Sequence, residues 1–357
     1  MFHEAHATFV RYPDLQAAPI YAFSRYGSLG VSLFFVISGY CIATAACNVL
    51  PREHGFQRFL RARLRRIYLP YWFAWLLTAA FSIFAGLAVK ALHLGPSNSA
   101  DNDVLHQPAA YWLSNLTLTQ VAVHRPSLIY PAWTLCYEMA FYLIVALLIL
   151  VPLLTREARS FLNALHVITV VALLALTIVP QYQFYPVDLW PQFGLGVIIY
   201  DLVRHPDEKR PRLWLLTVSA LLLAFTLRHA LPTSPAQETS RLAFGVALAF
   251  SFLILWLHRF DEALSRWKPI QALSWVGLFS YSLYLTHMLV IGTTNQGIHL
   301  VRLPERLHLV AFTLSVLVAL AGGRLFYQFC ERPFVKPIFQ TAPQAGQKPE
   351  IVGHTAE

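Results

Sequence analysis

Glu138 stands inside an otherwise apolar stretch, "PAWTLCYEMAFY" (131–142). An ionisable side chain in such a run is costly in lipid and marks a candidate functional site. Thr134 and Tyr142 lie four residues to either side, so a helix places all three on one face. A carboxylate there can orient a hydroxyl or balance a cation, or it can act as hydrogen-bonding glue between helices. A second polar stripe, Ser280, Tyr284 and His287, runs at i, i+4 and i+7 through "LFSYSLYLTHML" (278–289). His287 reads equally as a core histidine satisfied by a neighbouring helix. Arginines crowd "FLRARLRRIYLPYW" (59–72). Arg63 and Arg66 are i, i+3 and converge on one ligand if the segment is helical. Guanidinium forks bind phosphate bidentately, while the same charges also set topology and meet anionic headgroups. His3 and His6 flank Glu4 in "MFHEAH" and could supply a general base or sit idle in solvent. The segment 90–128 holds His93, Asp101, Asp103, His106 and His124 without metal-ligand spacing and reads as a solvated loop.

Something must position these groups, and composition says what. Of 357 residues, 57% are hydrophobic and only 13% charged, against about a quarter charged in soluble domains. Such a chain cannot cover a water-facing surface, so the bilayer is its solvent. The net charge of +9 does not indicate nucleic acid, because the basic residues cluster in short segments between apolar runs. Cys41, Cys47, Cys136 and Cys330 form no CxxC pair and read as small buried hydrophobes rather than as a disulfide framework or zinc site. Asn115 opens an Asn-Leu-Thr sequon, a pattern that chance often produces.

Nine apolar runs are candidate spans, near 28–50, 67–89, 129–153, 161–180, 187–203, 213–229, 242–258, 272–293 and 307–330. The run at 187–203 is the weakest, with Asp188 and Pro191 in its first turn. Placing 51–66, 155–160, 204–212, 259–268 and the tail from 331 on one side gives that side more than twice the Lys and Arg of the other. By the positive-inside rule that side, with the C-terminus, is cytoplasmic. The N-terminus then falls outside, and one further helix ahead of Met1, opened by Arg or Lys, would restore an inside start and make ten spans. The expected fold is an all-α polytopic transmembrane bundle over residues 1–334, followed by a cytoplasmic tail over 335–357.

Several of these stretches resemble signatures of the membrane-bound acyltransferase 3 family, bacterial integral-membrane enzymes that O-acylate sugars and related acceptors. "GVSLFFVISGY" (30–40) is similar to its G-V-D-x-F-F-V-x-S-G-F/Y signature, with Ser32 in place of the aspartate. Arg63, Arg66, Ile67, Pro70 and Tyr71 resemble its R-x-x-R-I-x-P-x-Y segment, here with proline and tyrosine adjacent. "PAWTLCYEMAFY" resembles W-S-L-x-x-E-x-x-F-Y, with Thr134 for the serine, and "LFSYSLYLTH" and "CERPF" resemble two late motifs. The resemblance implies ten spans with both termini cytoplasmic, and a catalytic histidine eleven positions after a basic residue in the first span. His3 in "MFH" matches the end of that pattern, and His6 is the other candidate.

The resemblance further implies acyl transfer, acetyl in the first instance, from a cytoplasmic acyl-CoA to a hydroxyl of a cell-surface, exported or lipid-linked carbohydrate at the bacterial inner membrane. Acyl-CoA is a donor substrate, and no bound cofactor or metal is expected. His3 is assigned as base or acyl carrier, Arg63 and Arg66 as contacts to donor phosphates, and Glu138 as an orienting or charge-balancing group. Ser38 and Gly39 let another helix approach and shape the acyl passage, while Tyr284 and His287 line the substrate. Two other readings stand beside this one: a proton-coupled exporter using Glu138 and His287, and an inactive truncated acyltransferase.

Overall fold

The computed structural model describes residues 29–91, 106–151, 157–178, 185–228, 235–301, 304 and 307–334. His3, His6 and the tail 335–357 lie outside the described residues. Those described form helices α1 (Gly30–Val49), α2 (Gly55–Ala91), α3 (Ala109–Leu116), α4 (Trp133–Ile149), α5 (Ala158–Ile178), α6 (Trp190–Arg204), α7 (Lys209–Arg228), α8 (Pro235–Leu257), α9 (Asp261–Arg266), α10 (Lys268–Gly277), α11 (Ser280–Val301) and α12 (His308–Phe326). In lipid each backbone polar group must be satisfied within its own segment, and helices do this for chains so apolar.

Seven helical stretches are long and apolar enough to cross a membrane, or eight if α10 and α11 count as one broken span. The nine expected runs all fall on helices, but two differ from plain spans. The helix at 187–203, α6, has 15 residues, or about 22 Å, against a hydrocarbon core of about 30 Å. Every residue from Trp190 to Asp201 is buried. It packs against α1, α5, α7 and α8, as a helix with so little exposed face must. The run at 272–293 is bent by 70° between α10 and α11. Arg324 of α12 secures that elbow, its guanidinium over the rings of Trp275 at 5.2 Å, Phe279 at 5.8 Å and Tyr327 at 5.4 Å.

The arginine-rich stretch is not a loop. It is the first part of α2, whose 37 residues reach about 55 Å and so overshoot a bilayer core. Residues 109–132 are likewise more than a solvated loop, since α3 and the turns after it are fastened to α2. Tyr68 donates to Thr117 O at 2.8 Å, Tyr71 to Asn115 O at 2.6 Å and the Trp72 indole to Leu116 O at 3.1 Å. Asn115 is fully buried. Its amide donates to Tyr111 O at 3.0 Å and Pro126 O at 3.1 Å and accepts from Leu128 N at 2.8 Å, so the sequon asparagine is a structural clamp.

Helix α1 joins the halves of the bundle, touching α6 and α8 on one side and α2 and α4 on the other. Its crossing with α6 is made by bare backbone. A Cβ on Gly39 would stand 2.0 Å from Phe193 O, and one on Gly196 2.0 Å from Val36 O. That is the close approach foreseen for the Ser38-Gly39 pair, and it rests on the glycine.

Candidate active site

Helix α4 enters the bundle through a short turn, Tyr130–Ala132. Thr134, Glu138 and Tyr142 share one face of it and are 1%, 8% and 2% exposed, so that face looks into the protein. Each meets a different partner. Thr134 contacts the Tyr284 hydroxyl, which in turn donates to Pro131 O. Phe34 stacks on the Tyr284 ring with centroids 6.3 Å apart. Helix α11 is thereby tied to the start of α4.

Glu138 Oε1 accepts from Ser38 Oγ of α1 at 3.2 Å and from Tyr142 Oη one turn along at 2.9 Å. Among the described residues its second oxygen, Oε2, has no hydrogen-bond partner. One oxygen thus fixes the carboxylate.

The helical course of α2 puts Arg63 and Arg66 on neighbouring turns. Arg63 lies over the rings of Phe59 at 5.8 Å and Tyr142 at 5.6 Å, and its Nη2 makes a long 3.5 Å contact with Cys41 O. Cys41 is exposed rather than buried, while Cys136 is buried and Cys47 and Cys330 are partly so. Pro70 lacks an N–H, so the Arg66 carbonyl has no donor four residues on. Tyr281 of α11 donates to the next carbonyl, Ile67 O, at 2.9 Å and pins this part of α2.

Of the residues expected to act together, Ser38 and Glu138 are hydrogen-bonded, Tyr284 meets Thr134 one turn before Glu138, and Arg63 lies over Tyr142; Arg66 is exposed and makes no side-chain hydrogen bond or ion pair among the described residues. His287 is 5% exposed and turns Nδ1 to Leu283 O of its own helix at 3.0 Å, one turn beyond Tyr284. Ser280 does not continue the stripe inward; it is exposed at the elbow and bonds Gly277 O at 2.9 Å.

Two buried acids escaped the sequence reading. Glu331, 6% exposed, accepts a hydrogen bond from the fully buried Ser282 at 2.5 Å. Asp201, fully buried in α6, bonds His166 of α5 at 2.9 Å and His205 at 2.8 Å, with Arg210 at 3.7 Å. The signal that singled out Glu138, an ionisable residue in or at the edge of an apolar run, applies to both.

Comparison with known proteins agrees with this architecture. A family profile described as an acyltransferase domain, of acyltransferase 3 type, matches residues 2–327. The chain is 31% identical over 280 residues to BcsY of Komagataeibacter xylinus, named as a membrane-bound transacylase, covering 75% of this chain and 67% of that one. It is 22% identical to the O-acetyltransferase OatA of Staphylococcus aureus, covering 88% of this chain and 53% of OatA. It is 23% identical to YrhL of Bacillus subtilis, named as a peptidoglycan O-acetyltransferase, covering 86% and 50%. The chain therefore spans about half the length of OatA and YrhL. No solved structure matches it. With its motifs carried on the helices of a polytopic bundle and the profile running over nearly its whole length, the chain belongs to the acyltransferase 3 family.

Proposed function

We propose that the chain moves an acyl group, acetyl in the first instance, from a cytoplasmic acyl-CoA to a hydroxyl of a carbohydrate or lipid-linked acceptor at the bacterial inner membrane. The observation that carries this reading is Glu138, a buried carboxylate held through Oε1 by Ser38 and Tyr142, with Arg63 of α2 lying over the Tyr142 ring. Arg63 and Arg66 suit the phosphates of a coenzyme A thioester, which would leave its acyl end to run toward Glu138 and Ser38. The names of OatA and YrhL support an O-acetyl product. The basic asymmetry of the connecting segments supports a cytoplasmic C-terminus and donor side.

In the reaction, the acceptor oxygen attacks the thioester carbonyl and forms the C–O bond. Its proton passes to a base, the C–S bond breaks, and the coenzyme A sulfur leaves and takes up a proton. His3 is the base in this reading, with His6 as the other candidate, and Glu138 orients the acceptor or charge-balances the base. Exchange of a thioester for an ester is chemically modest, so positioning and one base suffice. Tyr284 and His287 would border the acceptor side of the site.

The test uses the full chain in proteoliposomes with radiolabelled acetyl-CoA and a polysaccharide or glycolipid acceptor. Label transferred covalently to the acceptor, with coenzyme A released only when acceptor is present, supports the reading. Movement of an acylated solute or of protons with no new ester would show an exporter instead.

A further inference from the structure

The last helix does not end as an α-helix. Its buried positions run Phe312, Ser315, Ala319, Gly323 and Phe326 at α-helical spacing, and the next buried residue is Glu331, five further on. Residues Tyr327–Glu331 form a π-helical turn, closed by Arg332 N–H on Tyr327 O at 2.8 Å. Such a turn takes up one extra residue and shifts the facing register by about 100°. That shift turns Glu331 onto the buried face while Phe329 stays 74% exposed.

Glu331 arrives beside a specific set of groups. Ser282 of α11 fixes its Oε2. The π-turn packs on α2, and so does α11, where Tyr281 holds Ile67 O. The residue before Ile67 is Arg66, so the adjacent bonds of Tyr281 to Ile67 and of Ser282 to Glu331 bring Glu331 to the stretch of α2 that carries Arg66. Among the described residues Arg66 makes no hydrogen bond or ion pair of its own. Its five N–H donors are therefore not used by Glu331 or Glu138 in direct contact and remain open to a ligand.

We propose that Glu331 is a positioning residue: braced by Ser282 and acting with Glu138, it holds the Arg66 guanidinium ready for the donor's phosphates. The donor part rests on the proposed function above. The pairing of Glu331 with Arg66 stands separately.

Glu331→Gln keeps the shape and the Ser282 hydrogen bond and removes the charge, so it is the informative variant. In the purified full chain, its dissociation constant for coenzyme A and its KM for acetyl-CoA should each rise about threefold, short of the about tenfold expected on losing Arg66 itself, with kcat changing by less than about 1.5-fold. Glu331→Asp should restore part of the loss. A double-mutant cycle of Arg66→Gln and Glu331→Gln, read on the thermal midpoint without donor, should be non-additive, and less so at high salt. An additive cycle overturns the pairing, as does Glu331→Gln with unchanged coenzyme A affinity in a wild type that binds it. Parallel loss of stability and kcat at constant KM would make Glu331 a structural brace only. A wild type that binds no coenzyme A while the cycle stays non-additive would sink the donor reading and leave the pairing standing.

Discussion

Ser38 of α1 donates to Glu138 of α4 across 3.2 Å, joining residues 100 positions apart at the point where α1 meets both halves of the bundle. The bond fixes one carboxylate oxygen, while the other has no hydrogen-bond partner among the described residues. It separates what holds Glu138 in place from what Glu138 can do.

Replacing Glu138 with Gln keeps size and hydrogen bonding and removes the charge. Turnover should fall at least about 100-fold, at normal membrane abundance, because the loss is of electrostatics at the reacting end. Ser38→Ala removes one support of Oε1 and should cost about tenfold or less. Acetyl-transfer assays normalised to protein in membranes check both. Full activity of Glu138→Gln would return the residue to interhelical glue.

Arg66→Ala should raise the KM for acyl-CoA about tenfold with insertion intact. The figure sits at the low end for a hydrogen bond to a charged group, because Arg66 is exposed and screened by solvent. Arg63→Ala should also lower the thermal midpoint, since that side chain covers Phe59 and Tyr142. Normal acyl-CoA kinetics in Arg66→Ala would confine that arginine to topology or lipid contact.

His3→Ala should abolish transfer and His6→Ala should not. General-base assistance is worth about 10² to 10⁴ in rate, so loss of the true base is unmistakable. The reverse result would assign the base to His6.

Gly39→Ala and Gly196→Ala each put a methyl group onto backbone of the facing helix rather than onto a flexible side chain. Each should cost about 3 kcal/mol, seen as a lower thermal midpoint and a smaller folded fraction in detergent. Gly30→Ala, with open space around it, is the control and should be silent.

Asp201→Asn removes the buried carboxylate that His166 and His205 share as a hydrogen-bond partner between α5 and α6. Losing hydrogen bonds to a buried charged group costs about 1.5–3 kcal/mol. Stability measured by thermal unfolding should drop accordingly, while the KM for acyl-CoA in the protein that remains folded should not move.

The sequence by itself determined the material of the bundle and which side chains share a helix face. Runs of about 20 apolar residues have one low-energy form in lipid, and the 3.6-residue period then aligns Thr134, Glu138 and Tyr142 without reference to anything distant. That Arg63 and Arg66 stand on neighbouring turns was legible on the same ground, given a helix. Tertiary structure decided everything that depends on how helices cross. Ser38 finds Glu138 because Gly39 and Gly196 let α1 and α6 touch backbone to backbone, placing α1 against α4 as well. Glu331 reaches the buried face through a π-turn, which no hydrophobic period announces. The shortness of α6 is tolerated because other helices surround it, and the bend before α11 is held by Arg324 from another helix. Local periodicity fixes direction around one helix axis; the partner on the far side depends on packing between segments a hundred residues apart.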